Sequence, residues 1–236
     1  MEQAIVMASG MGTRMLPLTK KIPKPLVLVH GIPMIETVIA GLKTRGVKDI
    51  FVVVGYLGEQ FRYLEQKYGV RLIWNHEYET VNNISSVYAA KELLSGGDCF
   101  ICEADLYVAE KTVFSGEISG SCYFGKMVPG YSDDWVFEQD DSSFITRVGK
   151  GGRDCYNMVG VAYFKEKEAR LLASYLEEAY RQPGHETWFW DDVVNMHLDT
   201  LQLLVRPVES ESIIEIDTLA ELEAVNRKVF DEWWHE

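Results

Sequence analysis

Residues 8–25 run Ala8-Ser9-Gly10-Met11-Gly12-Thr13-Arg14-Met15-Leu16-Pro17-Leu18-Thr19-Lys20-Lys21-Ile22-Pro23-Lys24-Pro25, directly after the apolar segment Gln3-Ala4-Ile5-Val6-Met7. The apolar segment predicts a buried strand. A strand that feeds a glycine turn can aim backbone N–H groups at an anion. Glycine lets the backbone approach a phosphate because no Cβ intervenes. Arg14 and Lys24 add fixed positive charge to the same segment, so the layout suits a triphosphate. Gly10 and Gly12 match only part of the dinucleotide fingerprint, and no Gly-Lys-Ser/Thr follows them.

Outward from this loop, strand and helix signals alternate. Val27–Val29, Ile50–Val54, Val70–Trp74 and Asp98–Glu103 read as strands; Ile35–Arg45, Glu59–Tyr68 and Ser85–Leu94 read as helices. That alternation predicts a mostly parallel sheet with helices on both faces, with ligands gathering at the carboxyl ends of the strands. The second half changes character. Ser121–Met127, Trp135–Gln139, Phe144–Val148 and Met158–Phe164 read as β-segments between polar turns. A helix over Glu166–Arg181, a strand over Leu201–Pro207 and a last helix from about Thr218 to Trp233 follow. The expectation is one domain over residues 1–236, with about 120–165 forming a small β-rich substrate lobe.

The 236 residues are 47% hydrophobic, enough for one ordinary core. No run of about 18 apolar residues suggests a membrane span, and the first residues lack a secretion signal, so a cytoplasmic location is expected. A net charge of −13 repels nucleic acid and anionic membranes, so a triphosphate must meet a local basic patch and metal ions. Cys99-Phe100-Ile101-Cys102 has the spacing of a metal or redox pair. On a strand, however, residues three apart face opposite ways, so these are read as core residues.

Asp105 closes the strand that ends Ile101-Cys102-Glu103-Ala104-Asp105. A carboxylate there, beside the phosphate loop, suits Mg2+; otherwise it is a turn residue. Asp217, in Ile214-Glu215-Ile216-Asp217, offers a second carboxylate or a helix cap, or both. Asn83 and Ser85, in Asn82-Asn83-Ile84-Ser85-Ser86, either meet a base or cap a helix. Ser132-Asp133-Asp134-Trp135 and Thr187-Trp188-Phe189-Trp190-Asp191-Asp192 combine aromatic faces with carboxylates, a chemistry that attracts a quaternary ammonium; otherwise Trp188 and Trp190 are core or helix-start residues.

The run from Gly10 through Pro25 resembles the signature of the nucleoside-triphosphate transferases that join a nucleotide to a phosphorylated small molecule. Gly10, Gly12, Thr13, Arg14, Pro17, Thr19, Pro23, Lys24 and Pro25 fall in place, and Ser9 departs from the glycine of many relatives. Val54-Gly55-Tyr56-Leu57, Glu59-Gln60-Phe61, Lys67-Tyr68-Gly69-Val70-Arg71-Leu72, Asn82-Asn83, Trp135, Trp190-Asp191 and Glu215-Ile216-Asp217 extend the likeness, which is similar to the bacterial phosphocholine cytidylyltransferases. The resemblance implies a Rossmann-like α/β nucleotidyltransferase fold with a mixed sheet. It also implies CTP and phosphocholine as substrates, giving CDP-choline and pyrophosphate. Arg14, Lys24, Asp105 and Asp217 are then the catalytic candidates, with Asp105 and Asp217 holding Mg2+. Ala8, Ser9, Gly10, Met11, Gly12, Thr13, Gly55, Tyr56, Asn83 and Ser85 are the nucleotide-binding candidates. Trp135, Trp190 and one or both of Asp191 and Asp192 are the candidate cage for the acceptor, and removing Trp190 is expected to raise the acceptor's KM. Phosphoethanolamine and 2-aminoethylphosphonate are alternative acceptors, as is a sugar 1-phosphate in a related enzyme. A non-catalytic nucleotide-binding subunit is a further alternative, but such a subunit would have lost the charged residues retained here. The oligomeric state stays open.

Overall fold

A computed structural model describes residues 1–228. In chain order, β1 (Glu2–Ala8) leads through the glycine loop to a short hairpin, β2 (Leu28–Val29) and β3 (Ile32–Pro33). Helix α1 (Met34–Arg45), β4 (Asp49–Val54), α2 (Tyr63–Tyr68), β5 (Arg71–Trp74), α3 (Ile84–Ala89) and β6 (Asp98–Glu103) complete the first half. The second half comprises β7 (Leu106–Val108), β8 (Cys122–Gln139), β9 (Ile145–Phe164), α4 (Glu166–Ala179), α5 (Trp190–Met196), α6 (Leu198–Leu201), β10 (Leu204–Pro207), β11 (Ile213–Glu215) and α7 (Leu219–Asn226). No helix among the described residues is long and apolar enough to cross a membrane. The aromatic end of the predicted last helix, Val229-Phe230-Asp231-Glu232-Trp233-Trp234, lies outside the described residues.

The central sheet has the order β10-β8-β9-β6-β1-β4-β5. β1 is parallel to both β4 and β6, and β5 is parallel to β4; β9 runs antiparallel to both β6 and β8. This is the predicted α/β architecture, a mostly parallel sheet of seven strands. Because β1 sits between β4 and β6, the chain leaves its two sides in opposite directions, and a crevice opens at its carboxyl end.

Alternation along β1 divides the interior in two. Ala4, Val6 and Ala8 join a core with Ile35, Ile39 and Leu42 of α1, whereas Ile5 packs with Leu172 and Leu176 of α4 on the opposite face. Cys102 belongs to the first core and Cys99 to the second. The pair therefore cannot share a metal, and burial pushes the Cys99 thiol well above its usual range.

Two predicted helices are broken by tighter turns. A 3-10 turn at Gly58–Phe61 precedes α2, and another at Lys91–Ser95 follows α3. The four predicted β-segments of the second half merge into β8 and β9. Register shifts fold this ribbon back on itself, so Val136 lies opposite both Gly149 and Asn157. The polar residues between them alternate in exposure along β8 instead of forming turns. Asp134, Trp135 and Lys150 of this ribbon line the crevice at β1.

Candidate active site

A cavity of about 480 Å³ opens at the carboxyl ends of β1 and β6. Ala8, the last residue of β1, is buried, and Ser9, Gly10, Gly12, Thr13 and Arg14 continue along the wall. Gly12 adopts φ +60°, and a Cβ there would lie 2.7 Å from Lys24 Cβ. The loop is thereby laid directly on the Pro23-Lys24-Pro25 segment. Thr19 Oγ1 donates to the Gly12 carbonyl at 2.9 Å, and Tyr56 OH donates to the Thr19 carbonyl at 2.9 Å.

Lys24 is 6% exposed, so its ammonium is aimed rather than free to roam. Its Nζ donates to Asp105 Oδ2 and Asp217 Oδ1, both at 2.5 Å. Arg14 Nη1 donates to Asp217 Oδ2 at 2.6 Å. Asp105 and Asp217 are brought together by an antiparallel ribbon in which Glu215 of β11 faces Leu106 of β7. The Ile216 amide closes the ribbon on the Asp105 carbonyl at 3.4 Å. Carboxylate oxygens of Asp105, Glu215 and Asp217 all lie within 4.8 Å of one another.

The acids respond to this crowding. Burial, then the charges of Asp105 and Asp217, push Glu215 up to about 8. Burial and the neighbouring Asp105, Glu215 and Asp191 push Glu103 well above the usual carboxylate range. Burial also opposes the charge on Asp217, but the hydrogen bond and charge of Lys24, then Arg14, hold its carboxyl below that range. Lys24 is likewise held above its ordinary value by Asp105 and Asp217, against burial.

Beyond the phosphate loop the wall is polar. Ser9 Oγ and Ser86 Oγ are 2.6 Å apart, and Asn75 Nδ2 donates to Ser85 Oγ at 2.8 Å. Neither Asn83 nor Ser85 caps α3 through its side chain; Asn83 Oδ1 instead accepts from the Trp190 amide at 3.1 Å. Both residues line the cavity.

At the far end, Trp135 meets Phe189 edge-on, with ring centroids 5.3 Å apart. Asp134 and Asp191 line the same region. Asp191 is buried, accepts a hydrogen bond from Tyr123 OH at 2.9 Å, and is pushed up to about 7 by burial.

Five sequence candidates stand outside the cavity lining: Met11, Gly55, Tyr56, Trp190 and Asp192. Met11 is exposed to solvent. Tyr56 braces the loop from behind through Thr19. A Cβ on Gly55 would lie 2.7 Å from Tyr78, whose ring does line the cavity, so Gly55 makes room for that ring. Asp192 turns back to accept from the Phe189 amide at 2.8 Å, fixing the start of α5. Trp190 is 3% exposed and packs against Tyr123 and Phe164 in the core.

The expected effect of removing Trp190 changes accordingly. Trp190→Ala should destabilise the protein by about 3–5 kcal/mol in urea unfolding, with little change in the acceptor's KM for whatever remains folded. Trp135→Ala should do the reverse. A Trp190→Ala protein of undiminished stability and greatly raised acceptor KM would return Trp190 to the cage.

Glu103, Glu215, Tyr78 and Lys150 also line the cavity and have no site role from sequence, whereas Asp134 and Phe189, also in the lining, belong to the two aromatic-acidic stretches. Glu103-x-Asp105 and Glu215-x-Asp217 carried a usable signal, because residues two apart on a strand share a face.

Residues 3–113 match the family described as Nucleotidyl transferase. The chain is 55% identical to a 2-aminoethylphosphonate cytidylyltransferase of Lancefieldella rimae over 94% of its own length and 90% of that protein. It is 35% identical to a choline-phosphate cytidylyltransferase of Streptococcus pneumoniae, over 92% and 93% of the two chains. The solved CTP:phosphocholine cytidylyltransferase from Streptococcus pneumoniae superposes with a TM-score of 0.88 at 33% identity, covering 95% of this chain and 97% of that one. The chain belongs to the nucleotidyltransferase family and is an enzyme of its cytidylyltransferase group. Among these relatives, the one named for an aminophosphonate is the more similar, ahead of the one named for choline phosphate.

Proposed function

We propose that the enzyme transfers CMP from CTP to a small phosphonate or phosphate ester bearing a primary ammonium, 2-aminoethylphosphonate foremost. An acceptor oxygen attacks the α-phosphorus in line, the bond to the bridging oxygen of the β-phosphate breaks, and pyrophosphate leaves. A phosphate monoester has a second pKa near ~6 and is mostly dianionic at neutral pH, so no general base is required. The protein's task is to position two anions and offset their repulsion. Lys24, fixed at the cavity floor, offsets charge at the reacting phosphates. Arg14 and the amides of residues 10–13 hold the departing pyrophosphate. Ala8, Ser9, Tyr78 and Ser85 form the wall assigned to the nucleoside.

Asp105, Glu215 and Asp217 fit Mg2+: the donors are hard carboxylate oxygens, close together, and burial, then the charges of Asp105 and Asp217, raise Glu215 to about 8. When bound, Mg2+ supplies Lewis-acid polarisation and charge neutralisation at phosphate oxygens.

The observation that carries the acceptor assignment is the withdrawal of Trp190 into the core beside a cavity-facing Asp191. A quaternary ammonium calls for several ring faces. A primary ammonium calls for hydrogen-bond acceptors, which Asp191 and Asp134 supply. The similarity to the aminoethylphosphonate enzyme supports the same choice. Phosphocholine is the second reading, favoured by the Trp135–Phe189 pair.

Pyrophosphate release should separate them, with CTP tested against 2-aminoethylphosphonate, phosphoethanolamine, phosphocholine and glucose 1-phosphate, and UTP as control. We expect kcat/KM for 2-aminoethylphosphonate to exceed that for phosphocholine by about 10²-fold, a few kcal/mol from matched polar groups. Equal or better use of phosphocholine overturns the assignment. The pH dependence has a definite sign. Asp191 is neutral below about 7 and anionic above it, so the acceptor's KM should fall as pH rises through that value. In Asp191→Asn that fall should shrink to the part the acceptor's own second ionisation produces; an undiminished fall would remove Asp191 from acceptor binding.

A further inference from the structure

We propose that Glu221 is a positioning residue for Asp217, so that the start of α7 forms part of the cation-binding apparatus; this rests on the reading of Asp217 as a Mg2+ ligand. Thr218 caps α7, its Oγ1 accepting from the Glu221 amide at 3.2 Å. In return Glu221 Oε2 accepts from the Thr218 amide at 2.8 Å. That reciprocal pair is a complete capping box. Glu221 Oε2 also accepts from the Asp217 amide at 2.8 Å, a bond the box does not require.

The preceding residue is fixed as well. Ile216 is fully buried beside Met15 and Val225, and its amide reaches the Asp105 carbonyl. Residues 216 and 217 are therefore tethered in succession, one to the bend at Asp105 between β6 and β7 and the other to α7. The Asp217 carboxylate lies at the end of this tether, within reach of Lys24, Arg14 and the oxygens of Asp105 and Glu215. Glu221 is exposed and does not line the cavity, so it acts on the site only through the backbone of Asp217.

The box allows a matched control. Thr218→Ala removes the helix cap but keeps Glu221 for both amides. Glu221→Ala keeps the Thr218 Oγ1 bond to the residue-221 amide, loses the reciprocal half of the box and releases the Asp217 amide. Glu221→Gln retains an acceptor oxygen of the same reach. Mn2+ binding by electron paramagnetic resonance, with a non-hydrolysable CTP analogue present, reads the site without turnover; melting temperature reads the fold.

Thr218→Ala and Glu221→Ala should melt at similarly lowered temperatures. Glu221→Ala alone should weaken Mn2+ binding by about 10-fold or more, the scale seen when partners of metal ligands are removed. Glu221→Gln should restore the affinity to near wild type. Should Glu221→Ala fail to fold, Glu221→Asp, one methylene too short to serve both amides, should show the same loss. Equal Mn2+ affinity in Thr218→Ala and in the Glu221 variant overturns the positioning role. Wild-type protein that binds no Mn2+ with the nucleotide overturns the Asp217 ligand reading beneath it.

Discussion

Asp105→Ala is expected to lower CMP transfer by about 10³-fold while the protein stays folded. Removing one preorganised charge-stabilising group from such a centre typically costs about 10²–10³ in turnover, and this carboxylate is also proposed to hold the divalent cation. The fold tolerates the change because Asp105 crowds other acids. Its charge adds to burial in raising both Glu103 and Glu215, so its loss relieves them. Lys24 keeps Asp217 as a partner at 2.5 Å. The link to the second acid strand survives as well, because the Ile216 amide bonds the backbone carbonyl of residue 105, not its side chain. Steady-state pyrophosphate release and thermal melting test the two halves together. Near-wild-type turnover would remove Asp105 from the chemistry. An unfolded variant would show that the carboxylate is structural instead.

The glycine loop, Lys24 and the two aspartates were legible because each lies where the chain has little freedom: a strand end, a left-handed turn, a lysine between prolines. Physical reasons also account for what was not legible. Trp190, Asp191 and Asp192 are consecutive at the start of a helix, where each residue turns about 100° from the last. One therefore enters the core, the next faces the cavity, and the third reaches back to the helix start. Composition alone reads them as a single aromatic-acidic cluster. The exact helix start sets which residue goes where, and boundaries are the least certain part of a sequence assignment. Glu103 and Glu215 escaped for a different reason. Acids are seldom buried, and the partners that crowd these two are remote in sequence: β7 pairs with the strand of Glu215, and Gly160 of β9 lies against Glu103. The merged β8–β9 ribbon was hidden because glycine, serine and aspartate in residues 128–134 mimic turns, while the solvated ribbon places no apolar demand on them.

Lys24→Met carries the other large effect: turnover and stability both fall, while affinity for a divalent cation alone rises. Turnover should fall by about 10²–10³-fold, because the one ammonium fixed at the cavity floor is lost. Stability should fall too, since Asp105 and Asp217 would be left beside Glu215 and Glu103 without it. Stranding a fully buried charge costs about 3–5 kcal/mol; both aspartates reach the cavity, with side chains 23% and 18% exposed, so about 1–2 kcal/mol is expected. The pH window follows from the shifts. Asp217 is lowered, so its share of the pairing is present above its ordinary value and lost as pH falls through the folded one. Lys24 is raised, so its share is present below its ordinary value and lost only as pH climbs past the folded one. The deficit of the variant should therefore be greatest across neutral pH and shrink in acid. Binding of a divalent cation without nucleotide should move the other way. Lys24 occupies the carboxylate oxygens that a cation would take, so its removal should tighten Mg2+ binding and let Mg2+ raise the melting temperature more than in the wild type. Calorimetric titration with Mg2+ alone, alongside melting at neutral and acid pH, measures both. A variant that binds Mg2+ no better than wild type, with unchanged stability, would mean that Lys24 is not the internal counter-ion of this site.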